Sequence, residues 1–176
     1  MAKKRKPQPE PRPLLGLAAG LIAGLAASAA MEAFQNAASK AAQAGKSEPE
    51  QREAEARAGD PATVKAADQA MAAVTGETVP EPYRASAGRA VHYATGALLG
   101  AIYGVITEYK PQAASGFGGA YGMATALVLD EAAVPAAGLG EAPWDAPLFS
   151  HGYSLASHLV YGLALEGTRA LLGGRR

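Results

Sequence analysis

The chain has 176 residues, no cysteine, 16 basic and 16 acidic side chains, and a mean hydropathy of −0.01. Without cysteine there is no disulfide scaffold, thiolate metal site or thiol nucleophile, and a zero net charge lacks the basic excess of a nucleic-acid binder. These averages describe a bland, alanine- and glycine-rich soluble protein, and they mislead because they merge two kinds of segment.

Residues 1–13 form a basic, proline-rich tail, with Lys3, Lys4, Arg5, Lys6 and Arg12, of a composition that stays disordered. Beyond it, Asp, Glu, Lys and Arg leave four uncharged stretches, 13–31, 90–107, 111–129 and 146–165, each 18 to 20 residues long. A helix needs roughly 20 apolar residues to cross a bilayer, whereas soluble helices keep a charged face. The stretches therefore predict an all-α polytopic membrane protein, with one domain over 14–172 and spans over about 14–34, 89–108, 113–131 and 147–167. Alanine and glycine are as common in them as Leu, Ile and Val, so each span inserts only marginally by itself and depends on its neighbours. A soluble alanine-rich bundle is the competing architecture.

A signal peptide also competes for the first span, because Lys3–Lys6, the Leu14–Ala27 apolar run and Ala27-Ser28-Ala29 match its three parts. Against cleavage, the helical pattern runs on through Met31, Phe34 and Ala38. Residues 46–58 read as a solvated extension of that first helix. Next comes an amphipathic helix, with Asp60 as N-cap, Pro61 at the first helical position, Gly76 as stop, and Val64, Ala67, Met71 and Val74 on its apolar face. The whole outer helical segment covers about 46–76. The link between spans three and four carries Asp130, Glu131, Glu141 and Asp145 but no base, while Arg169, Arg175 and Arg176 follow span four. The positive-inside rule then puts both termini in the cytoplasm. Trp144 and Tyr153 fall at the outer aromatic belt and Tyr109 at the inner one. Gly45-Lys46-Ser47 lacks the earlier glycine of a phosphate loop, and Gly116-Phe117-Gly118 has Tyr121 where a dinucleotide fingerprint needs glycine.

Small residues recur every four positions within the spans: Gly16, Gly20, Gly24 and Ser28; Gly96, Gly100 and Gly104; Gly118, Gly122 and Ala126; Ser154 and Gly162 around His158. Such rows let helix backbones approach closely, within one chain or between copies. Each row also meets an ionisable group. With both ends inside, Glu32, His92, Asp130, Glu131 and His151 fall into one layer at the outer side, and His158 lies about 10 Å deeper than His151. Glu108 and Glu166 mark the inner ends. Three chemistries fit the layer. It can be a wetted interface, or a proton-responsive cluster in which carboxylates tune the histidines. It can also be a metal site of His92, His151 and Glu131 or Asp130, against which no compact ligand spacing occurs. No nucleophile elbow is present, so the chain reads as non-enzymatic, with no catalytic residue, cofactor or resident metal.

His92-Tyr93 followed by Gly96, Gly100, Tyr103 and Gly104 resembles the second span of the YagU-like bacterial inner-membrane proteins, a family of unknown function. Asp130-Glu131 through Val134-Pro135 to Gly138-Leu139 is similar to that family's third-span exit. His151 with Ser157-His158-Leu159-Val160-Tyr161-Gly162 is similar to its last span, and Thr63-Val64-Lys65 fits its extramembrane helix. The resemblance covers roughly residues 14–170 and implies an inner-membrane location, with no substrate or mechanism attached. The resulting expectation is a small envelope protein whose His/carboxylate layer responds to protons or conducts them, in an acid-stress setting. The alternative is a structural or partner-binding subunit that associates through its glycine faces. The partners to expect are the lipid bilayer and, where the glycine faces pair between copies, a second copy of the chain, with no nucleic acid.

Overall fold

The computed structural model describes residues 10–174. The basic residues at 3–6 and 175–176, used above for orientation, lie outside the described residues. Six helices follow one another, with no strand among the described residues: α1 (Pro13–Gln43), α2 (Glu48–Ala58), α3 (Ala62–Thr75), α4 (Glu81–Tyr109), α5 (Gly119–Val128) and α6 (Leu148–Leu171). A 3₁₀ turn (Pro111–Ala114) links α4 to α5. Helix α5 runs on through a π turn (Leu129–Ala133) into one last α-turn (Val134–Ala136).

Residues 46–58 do not extend the first helix. Helix α1 stops at Gln43, Gly45 turns the chain at φ 87°, and Ser47 opens α2 with a capping box. Both its backbone N–H and its hydroxyl donate to the Glu50 carboxylate at 2.7 Å. Asp60 does not cap α3, and Met71 and Val74 are exposed, so the buried apolar part of α3 is confined to Val64 and Ala67 near its start. Gly76, left-handed at φ 79°, ends it.

Helix α1 packs along α4 and also touches α6, while α5 packs on α6. The glycine rows make these contacts. Gly16, Gly20 and Gly24 of α1 lie against the Gly104, Gly100 and Gly96 carbonyls of the antiparallel α4, and Gly118 and Gly122 lie against Gly162 and the His158 carbonyl of α6. A Cβ at any of these glycines would meet a neighbouring backbone or side-chain atom, so small residues set the interhelical distance. Gly116, Phe117 and Gly118 all take positive φ and swing the chain into α5, which is what those two glycines are for. Tyr161 and Tyr121 cross to α4, donating to the Gly96 and Leu99 carbonyls at 2.7 and 2.8 Å.

The distribution of side chains is inverted relative to a water-soluble bundle. Arg169, Glu108, Thr107 and Ser28 are completely buried, while Ile22, Leu98 and Leu127 on α1, α4 and α5 are 51%, 63% and 57% exposed, joined by Leu163 of α6. Two helices, α1 and α4, are long and apolar enough to cross a membrane. Four spans were expected. In the third the regular α-helix is only ten residues long before the π turn, and the fourth carries His151, His158, Glu166 and Arg169.

Candidate functional site

At the end of the bundle covered by α3, a cavity of about 930 Å³ opens between α1, α3, α4, α6 and the π turn. Met31, Val64, Leu99, Leu129 and Val134 supply apolar wall, and Gly96 and Tyr161 lie at its deep end. Four of the six candidate titratable residues line it, Glu32, His92 and Asp130 of the layer together with the deeper His158. Glu131 and His151 do not. They pair with each other, Nδ1 to Oε1, at 2.6 Å.

Each lining group is held by a specific neighbour. The π turn places Asp130 against α6, where the Ser154 hydroxyl donates to it. His158 Nδ1 lies 3.4 Å from the same carboxylate and 3.1 Å from the Ser154 carbonyl. Both neighbours are acceptors, so Nδ1 is the nitrogen that carries a proton toward them. His92 is fixed in the opposite sense, its Nε2 donating to the Ser28 carbonyl at 3.2 Å, which leaves Nδ1 as the acceptor. Glu32 accepts from the Tyr93 hydroxyl at 2.7 Å and pairs with Arg89 at 3.1 Å. The Ser28 hydroxyl, on a fully buried residue of the lining, has no hydrogen-bond partner. No group of three or more His, Asp or Glu able to hold a metal occurs among the described residues, because His92 and His151 face different partners.

Arg84 lines the cavity on the side of α3. Its guanidinium reaches Asp68 of α3 at 2.6 Å, Asp60 at 2.7 Å and Glu81 at 3.1 Å, tying α3 to the start of α4. Gln69 also donates to the Ala137 carbonyl at 3.3 Å, which ties α3 to the stretch after the π turn. The hydrogen bond from Arg84 holds the Asp68 carboxyl below its ordinary value, and the three carboxylates push the Arg84 guanidinium up.

A second polar group fills the opposite end. The Arg169 guanidinium grips Glu166 with two hydrogen bonds of 2.7 and 3.0 Å, and the Tyr103 hydroxyl donates to the same carboxylate at 3.0 Å. Arg169 also sits 5.9 Å from the centre of the Tyr103 ring. Glu108, wholly buried, accepts the Arg12 backbone N–H at 2.8 Å. Sequence reasoning treated Arg169 as an orienting surface charge and Glu166 as an end marker, whereas both are buried. Their three-residue spacing was the available signal. Ser154, four residues before His158 on one helix face, was noticed only as a small residue. Arg84 and Asp68 were not singled out at all.

Compared with known proteins, the chain matches no family model, no curated protein and no solved structure. The class is therefore defined by fold and site: an all-helical protein with two helices able to span a membrane and a cavity lined by titratable side chains.

Proposed function

We propose that this is a four-helix integral protein of the bacterial inner membrane, with both termini cytoplasmic, acting without catalysis as a proton-responsive envelope protein. Three features support the membrane reading. Large aliphatic side chains face outward on all four long segments while the ion pair is buried, the arrangement expected when lipid replaces water. The continuous helical segment from Gly119 to Ala136 is about 27 Å long at 1.5 Å per residue, close to hydrocarbon thickness. Helix α1 is matched glycine for glycine to α4, which favours its retention over removal as a signal peptide. The resemblance to the YagU-like family points the same way.

The observation that carries the functional reading is the His158–Asp130 pair lining the cavity, with His158 buried partway along α6 and the Asp130 carboxylate 36% exposed on the π turn. Protonation of His158 would put an imidazolium beside Asp130 and change the charge of the cavity. Below Gly96 and Tyr161 the interior is filled by Ala23, Leu165 and Tyr103, so response to protons fits the geometry better than conduction. The glycine rows are occupied within the chain, which disfavours their use to bind a partner. The test compares His158→Gln and His92→Gln with the parent at equal membrane insertion, reading acid tolerance and the pH dependence of α3 hydrogen exchange. Altered acid response in either variant is expected. Parent-like acid tolerance and exchange in both would refute the proposal.

A further inference from the structure

The cavity carries an unbalanced charge. Its described lining holds four carboxylates (Glu32, Asp60, Glu81 and Asp130) and two guanidiniums, Arg84 and Arg89. Both guanidiniums are engaged, Arg89 by Glu32 and Arg84 by Asp60, Asp68 and Glu81. Asp130 faces only the Ser154 hydroxyl and the His158 imidazole. The Ser28 hydroxyl of the lining is unpartnered, and His158 and His92 each direct one ring nitrogen to a backbone carbonyl. The walls around them are aliphatic, and the volume falls in the range that encloses a drug-sized molecule.

We infer that the cavity binds a lipophilic organic cation, with Asp130 as its counter-ion and the aliphatic walls against its apolar body. A cation there stands where imidazolium charge on His158 would otherwise neutralise Asp130, so binding and protonation compete. The charged and titratable groups lining the cavity with His158 are Asp130 from the π turn, 3.4 Å from it, Glu81, Arg84, Arg89 and His92 from α4, Glu32 from α1, Asp60 ahead of α3, and Tyr161 on its own helix. No charged residue of α3 is in the lining. This inference rests on the cavity being the functional site and adds the ligand class to that reading.

The experiment measures binding of tetraphenylphosphonium, and of the isosteric anion tetraphenylborate, to the purified full chain in detergent by equilibrium dialysis at several pH values. The phosphonium is expected to bind and the borate not. Asp130→Asn should weaken the cation roughly tenfold to a hundredfold, as loss of one charged contact does. Glu131→Gln, outside the lining, should leave it unchanged. If Asp130→Asn does not fold, Thr95→Lys, which puts a fixed cation on the cavity wall, should abolish binding in its place. Binding should also weaken on acidification, because a proton on His158 supplies the charge that the ligand brings. Equal binding of borate and phosphonium, or full binding by both variants, overturns the inference. Absent cation binding with an intact His158-dependent acid response overturns the ligand and spares the proton reading. Charge-selective binding that ignores pH does the reverse.

Discussion

Arg169 shows how much a single residue's depth matters. Its side chain is completely buried beside a carboxylate that is itself 3% exposed, so removing the guanidinium strands Glu166 in a medium that does not solvate it. Arg169→Met should therefore destabilise the protein by about 3–5 kcal/mol. Replacing both partners, Glu166→Leu with Arg169→Met, should recover most of that loss, because the charge and its countercharge leave together. Thermal unfolding of the single and double variants in detergent checks both outcomes, and equal midpoints for the two would show that the pair is not coupled. Sequence alone places these residues three apart near the end of a helix. It does not say that Tyr103, more than sixty positions earlier, closes over them. The same limit applied to Asp130: the residue was visible as an interfacial acid, but its pairing with Ser154 and His158 depends on a π turn that no local pattern announces.

At the scale of the element, α3 is a docked strap whose hold depends on charge. Apolar spacing between Pro61 and Gly76 made the helix legible, and Ser47-Glu48-Pro49-Glu50 is a helix start that made the break before α2 equally legible, though it was read as continuous helix. How α3 is held was not legible, because Asp60 and Asp68 find Arg84 only once the chain has folded back. Asp68 has a folded pKa below its unfolded one. Its contribution is thus complete above the ordinary aspartate range, near about 4, and is lost as pH falls through the lower folded value. Hydrogen exchange over residues 62–75, corrected for intrinsic rate, should rise in that acid window and stay low at neutral pH. Asp68→Asn should bring the faster exchange to neutral pH, while leaving α1 and α4 protected. Exchange that is the same in parent and variant would show that Val64 and Ala67 hold the strap unaided.

At the scale of the whole molecule, charge-free stretches located the long helical segments because tight glycine packing excludes charge, and the same feature hid the interior, since buried charges were read as boundaries. Among the described residues two helices are long and apolar enough to span alone, while α5 and α6 pack on each other at Gly118 and Gly162 and are joined to α4 by the two tyrosine bonds. Two spans and four spans make opposite statements about one exposed residue, Glu141, in the link before α6. With four spans it lies outside, beside the cavity mouth; with α1 and α4 alone, everything after Lys110 stays in the cytoplasm. The chain has no cysteine, so single cysteines at Glu53, Lys110 and Glu141 are its only thiols in turn. An impermeant maleimide applied to intact spheroplasts should label positions 53 and 141, and position 110 only after lysis. Labelling at 53 but not at 141 would leave a two-span protein and put the cavity's α6 side chains, His158 among them, out of the bilayer.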